Sequence, residues 1–349
     1  ANARIFYLKF SAFFIKLHNH FEIRIWSMLK LFKPTLLATL LALSLAPISG
    51  AAEMKSVAVT AIVDHPALDS ARKGVEDELK AAGFEPGKQI KYQFQSAQGN
   101  TATAAQIARK FVGDQPDVIV AIATPSAQAV IAATRSIPVV FTAVTDPVAA
   151  KLVKSWKTGN DNVTGVSDML ELSPQIDLIL KVKPNAKRVG MVYSPGEVNS
   201  TIVAKELKTE LAKRGMTLVE APAARTVDIS TAAKSLVGKV DVIYTNTDNN
   251  VVSSYESLVG VAQQAQIPLI SGDASLVKRG AIAAMGMSYY DLGRQTGKMV
   301  VRILKGEKAG DIAPEVGSKK ELMVNTTAAK KQGVTLSAAL LKEAKEVLK

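Results

Sequence analysis

From residue 56 onward, short apolar, β-branched runs alternate with amphipathic stretches of helical length, and few folds accept that rhythm. Runs at 56–63, 117–123 and 137–143 interleave with stretches at 70–82, 101–113 and 126–134 whose apolar residues recur at helical spacing. Unbroken apolar runs of this kind mark parallel strands that helices cover on both faces. Gly83 and Gly215 stand where such helices need a left-handed cap. The rhythm restarts at 188, with strands predicted over 188–193, 217–221, 240–245, 268–271 and 281–285 and helices over 199–214, 229–238 and 253–265. The pattern predicts two doubly wound α/β units in series, with the chain passing between them near Gly165-Val166 and again near Gly286-Met287.

A chain of 349 residues is long enough for two such units, and its composition, 48% hydrophobic and 21% charged, is that of a globular protein. It contains no cysteine, which removes disulfides, thiolate metal sites and cysteine nucleophiles. The formal charge of +12 suggests nucleic acid as a partner, but six Lys/Arg and one Asp/Glu fall in residues 1–52. The remaining 37 basic and 30 acidic residues, +7, are interspersed as on solvated helix faces. No basic cluster interleaved with aromatics accompanies them, so nucleic acid is not expected as a partner.

Residues 28–52 have the order of a secretory leader: a short basic head from Met28 to Lys33, an apolar run over 35–45, and small-residue cleavage sites at 49–52. The run is too short to span a bilayer comfortably, and no cysteine follows it for lipid attachment. Residues 1–27 read as translated sequence upstream of the true start. The expected destination is the periplasm.

In open α/β sheets, ligands sit beyond the carboxyl ends of the strands. Here those ends repeat one chemistry, a polar residue beside proline or glycine: Asp64-His-Pro66, Thr124-Pro-Ser126, Thr145-Asp-Pro147, Ser194-Pro-Gly196 and Gly272-Asp-Ala274. Such pairs start helices well, and any one of them serves that purpose alone. Their recurrence points to one cleft between two sheets, where free helix amides favour a carboxylate or phosphate and Asp64, Asp146, Asp248 and Asp273 offer acidic partners for an ammonium group.

Signatures of catalysis are missing. There is no Gly-x-Gly-x-x-Gly, no phosphate loop and no Gly-x-Ser-x-Gly. His65 is the one histidine beyond the leader, and beside a proline it reads as a polar loop residue. Asp168, Glu171 and Asp177 lack the spacing of a glycosidase pair or a metal cluster, and Asp168 is read as lying away from the strand-end loops. Neither a catalytic residue, a cofactor nor a metal is expected.

The motifs Thr124-Pro-Ser-Ala-Gln128, Val139-Val-Phe-Thr-Ala-Val-Thr-Asp-Pro-Val148, Asn162-Val-Thr-Gly-Val166, Val192-Tyr-Ser-Pro-Gly-Glu197 and Gly280-Ala-Ile-Ala-Ala284 followed by Tyr289-Tyr-Asp-Leu-Gly293 occur in an order that resembles the ABC-type substrate-binding family, which includes tryptophan- and phenylalanine-binding proteins. The resemblance runs from about Lys55 to the C-terminus. It implies a type I periplasmic binding fold with three crossings, one lobe over 53–165 plus 286–311 and the other over 166–285 plus 312–349. It implies a monomer that binds an aromatic amino acid by hinge closure and docks on an ABC permease. The expected contacts are Asp64, Thr124, Pro125, Ser126, Thr142, Ala143, Val144 and Asp146 on the first lobe, facing Tyr193, Asn199, Asn246, Asp248 and Asp273 on the second. Asp273, then Asp248, are the expected partners of the ligand amine. A sugar or nucleoside binder, or the sensing part of a receptor or regulator, would share the fold; the proposed loops carry few aromatic rings for sugars, and no DNA-binding head is present.

Overall fold

The computed structural model describes residues 54–349, so the expectations for residues 1–52 lie outside the described residues. Strands β1 (Lys55–Ala61), β2 (Ile90–Ser96), β3 (Val118–Ile122), β4 (Val139–Val144) and β5 (Val163–Ser167) alternate with helices α1 (Pro66–Ala81), α2 (Thr101–Asp114) and α3 (Thr124–Ala133). They build a parallel sheet in the order β11-β5-β4-β3-β1-β2, whose edge strand β11 (Glu315–Val316) returns from far along the chain. Strands β3, β4 and β5 are buried along their whole length, which is why β3 and most of β4 read as apolar runs.

The second sheet has the order β13-β12-β10-β9-β8-β6-β7. It is formed by β6 (Arg188–Tyr193), β7 (Thr217–Pro222), β8 (Val242–Thr245), β9 (Leu269–Ser271), β10 (Ala283–Met287), β12 (Lys320–Asn325) and β13 (Glu346–Leu348). All its pairs are parallel except β10 with β12. Its helices are α4 (Leu172–Val182), α5 (Val198–Ala212), α6 (Ile229–Ser235), α7 (Asn249–Ser253), α8 (Tyr255–Ala265), α10 (Thr326–Lys331) and α11 (Ala338–Glu343). The fold is thus two doubly wound parallel-sheet lobes, and the chain passes between them three times: after β5, after β10 and after β11.

Two details differ from the expected segment limits. β5 ends at Ser167 and still belongs to the first sheet, and Glu315–Val316 pairs with Val166 and Ser167 rather than joining the second lobe. The return stroke, α9 (Tyr289–Leu304), packs with Met299, Val300, Ile303 and Leu304 into the first lobe's core. It lies so close to α1 that a Cβ on Gly293 would stand 2.0 Å from the carbonyl oxygen of Ala71, and one on Gly74 2.2 Å from that of Tyr290. Only glycine permits these helix backbones to touch. The expected left-handed caps are present, with φ of +85° at Gly83 and +66° at Gly215.

Candidate functional site

The first lobe contributes the ends of β3 and β4. Each carries a non-glycine residue forced to positive φ, Ala123 directly after β3 at +75° with ψ 155°, and Ala143 at +55° inside β4, where the register shifts between Thr142 and Val144. The Ala123 conformation belongs almost wholly to glycine, and strain of this kind, of order 1–3 kcal/mol, persists where the surroundings hold it for a purpose. One consequence is that Thr124 does not cap α3. It is instead the first helical residue, with Pro125 half-buried behind it and Ser126 in the same turn. The hydroxyls of Thr124 and Ser126 are buried and have no hydrogen-bond partner.

Across the cleft, β6 runs through Ser194 and Glu197 into α5, which carries Asn199, and β8 runs through Asn246, Thr247 and Asp248 into α7. Asp248 accepts four hydrogen bonds, from Ser194 N at 2.6 Å, Ser194 Oγ at 2.9 Å, Ser200 Oγ at 2.7 Å and Val251 N at 2.9 Å. One oxygen of Glu197, Oε2, accepts from Asn199 Nδ2 at 3.0 Å, from Asn249 N at 3.1 Å and from Asn249 Nδ2 at 2.7 Å. Asn199 and Asn246 each spend their nitrogen on the protein and leave Oδ1 buried without a partner. Helices α3 and α5 pack against each other, and Thr145 and Thr247 meet at 3.4 Å between their hydroxyls, so the lobes touch.

A second acidic centre lies at the crossings. Asp168, directly after β5, accepts from Tyr289 Oη at 2.7 Å and from Thr145 Oγ1 at 3.2 Å, and burial raises its pKa above the ordinary carboxylate value. With Thr145, Tyr244, Asn246, Thr247 and Gly272 it lines a cavity of about 20 Å³ between the sheets. Asp273 is 1% exposed, and burial pushes its carboxyl up to about 6. Its Oδ1 caps the 3-10 turn Ala274–Arg279 by accepting from Ser275 N, and it lines a cavity of about 410 Å³ with Pro66, Arg279, Met287 and Tyr289. His65, also buried, is held neutral because burial first and Arg279 second lower its pKa to about 4; its Nδ1 has no partner.

The expected site residues therefore divide. Thr124, Ser126, Asn199 and Asn246 combine deep burial with an unpaired polar atom. Asp64 is exposed and accepts from Gln98, and Asp146 holds its own turn through the amides of Val148 and Ala149. Thr142 accepts from Thr296 of α9 inside the first core, where Val144 is also buried. Tyr193 donates to Glu220 on the edge strand β7. Asp248 is saturated by its own lobe. Asp168, read from sequence as remote, is instead at the junction, because β5 is itself a strand that ends there. Glu197, not among the expected contacts, holds Asn199 from two residues before it at the start of α5, and that spacing is the one signal the sequence carries for it. Among the described residues no group of potential metal ligands is assembled, and no helix is long and apolar enough to cross a membrane.

Comparison with known proteins bears on the family and the fold. The family model described as ABC transporter substrate binding protein matches residues 56–348. A tyrosine-binding protein of Clostridioides difficile (strain R20291) is 40% identical over 273 residues, 78% of this chain and 79% of its own length. The structure of an ABC domain in complex with L-Trp from Streptococcus pneumonia is 34% identical, covers 84% of this chain and 99% of its own, and superposes with a TM-score of 0.81. A ligand-free, open substrate binding protein from Clostridium difficile is 38% identical over similar shares, 84% and 99%, but superposes at 0.65. By the match across both lobes, the chain belongs to the ABC transporter substrate binding proteins, a family of binding proteins rather than enzymes.

Proposed function

We propose that this protein is the periplasmic solute-binding component of an ABC importer and that it captures an aromatic α-amino acid between its lobes. One observation carries the reading: buried, unpaired polar atoms occur on both helices that meet at the junction, Thr124 Oγ1 and Ser126 Oγ on α3, Asn199 Oδ1 on α5, with Asn246 Oδ1 beside them. Among the described residues thirteen buried side-chain polar atoms lack a partner, and these four gather where the two lobes meet, an arrangement that suits a polar ligand. The start of α3 adds backbone N–H groups to two hydroxyls and suits a carboxylate. The amide oxygens, acceptors only, suit an ammonium group.

This assignment moves the amine from Asp273 and Asp248 to Asn199 and Asn246. Asp248 already accepts four bonds, and Asp273 caps its own turn. The aromatic side chain is supported by the relatives, one named as tyrosine-binding and one holding L-Trp. The lobes, taken as 54–167 with 289–317 and 171–287 with 320–348, rock about the three crossings, and a ligand that touches both favours the closed state. The closed monomer then docks on its permease, after export directed by residues 28–52.

Mass spectrometry of small molecules released by denaturing the purified protein tests the reading. Phenylalanine, tyrosine or tryptophan is the expected species; a sugar or nucleoside would contradict it.

A further inference from the structure

Glu197 and Asp248 are buried carboxylates, 8% and 0% exposed, and among the described residues neither takes part in an ion pair. Each stands behind one of the two site amides. Asn199 donates Nδ2 to Glu197 Oε2 at 3.0 Å and to the carbonyl oxygen of Thr247 at 3.2 Å. Asn246 donates Nδ2 to Ser200 Oγ at 3.1 Å, and that hydroxyl donates onward to Asp248 at 2.7 Å. An amide has a donor face and an acceptor face, and the surrounding network decides which one turns outward. If the Asn199 amide were flipped, its oxygen would face a carboxylate and a carbonyl, two acceptors that offer it no proton.

We propose that Glu197 is a positioning residue for ligand recognition: by holding the nitrogen of Asn199 it turns the amide oxygen toward the ligand, so that the pocket selects an ammonium-bearing amino acid over the same molecule without its amine. Two further observations support this. All three donors reach the same oxygen of Glu197, and two of them come from Asn249, so the carboxylate is fixed from α7 as well as from α5. Burial and the neighbouring Asp248 raise the Glu197 carboxyl to about 7 and no protein cation offsets either acid, so an ammonium group brought by the ligand favours the ionised carboxylate. Hydrogen bonds in series also polarise one another, which makes an amide oxygen backed by a carboxylate a stronger acceptor.

This inference rests on the amino-acid reading above, and the test separates the two. Calorimetric titration is carried out with L-tryptophan and with indole-3-propionate, which keeps the ring and carboxylate but has no amine, on the parent protein, Glu197→Ala and Glu197→Gln. The parent should prefer L-tryptophan. Glu197→Ala should lose L-tryptophan affinity by about 10- to 100-fold, the value of one hydrogen bond to a charged group, with indole-3-propionate binding unchanged. Glu197→Gln, whose side-chain oxygen still accepts the same three donors, should restore most of the preference. Equal losses for both compounds in the Ala variant, or a full preference retained there, would overturn the role of Glu197 and leave the amino-acid reading standing. A parent protein that binds no aromatic amino acid would overturn that reading and this inference with it.

Discussion

Tyr289 Oη donates to Asp168 Oδ2 at 2.7 Å and so ties the first crossing between the lobes to the second, 121 residues further along the chain. Asp168 sits at the end of β5 and Tyr289 opens α9, so the bond spans two segments that must flex when the clamp opens. Tyr289→Phe leaves Asp168 with Thr145 as its one side-chain donor. The expected loss is about 1.5–3 kcal/mol of unfolding free energy, read by urea denaturation. An unchanged midpoint would mean that the bond contributes nothing to the folded state.

Sequence ranks Asp273 ahead of Asp248 as partner of the ligand amine, and the two should behave oppositely on mutation. Asp248→Ala strands the Ser194 amide, two serine hydroxyls and the first turn of α7. Buried donors left without an acceptor cost about 1–3 kcal/mol each, so a large fall in melting temperature is expected. A variant as stable as the parent would show that these groups find other partners.

Asp273 sets a pH dependence with a definite sign. Its carboxyl is raised from 3.8 to about 6 by burial, so the folded state holds its proton more tightly than the unfolded chain does. The stability this confers is fully present below pH 3.8 and is lost as pH rises through about 6. Asp273→Asn keeps the shape without the charge. At about pH 8 it should therefore be more stable than the parent by up to roughly 3 kcal/mol, and near equal to it at about pH 3.5. Melting curves across that range check the trend, and a difference that stays constant with pH would refute it.

The contact between α1 and α9 offers one glycine, and the exposed side of α2 another that serves as its control. Gly293→Ala drives a methyl into the Ala71 carbonyl, 2.0 Å away, and should destabilise by about 3 kcal/mol as α1 and α9 separate. In Gly113→Ala the new methyl meets nothing within 4 Å on a helix, and stability should rise by about 0.5–1 kcal/mol. Thermal unfolding of both variants should move in opposite directions.

How much of this was legible in the chain depends on burial. The strands β1, β3 and β4 announce themselves because both faces are covered over most of their length and nearly all their buried residues are apolar. β2, Ile90–Ser96, hides because it is an edge strand with half-exposed polar residues, and β5 hides because Gly165 makes a five-residue strand look like a turn. Missing β5 is what made Asp168 look remote. Within the site, the residue types at strand ends were visible, whereas their partners were not: nothing local says that Ser194 and Ser200 converge on Asp248, or that Asn249 reaches Glu197. These pairs lie about 50 residues apart and exist only once β6 and β8 are side by side. Polar pairing therefore decided which acids serve the fold and which buried polar atoms are left unpaired.

The claim that the junction between α3 and α5 binds an aromatic amino acid is tested most directly by calorimetric titration of L-tryptophan and L-tyrosine into the parent protein and into the double variant Thr124→Ala, Ser126→Ala. The account predicts saturable one-to-one binding by the parent of at least one of the two, and a loss of about 2–4 kcal/mol in the variant as two hydrogen bonds to the carboxylate disappear. Absence of heat with the parent, or equal affinity in the two proteins, would contradict it.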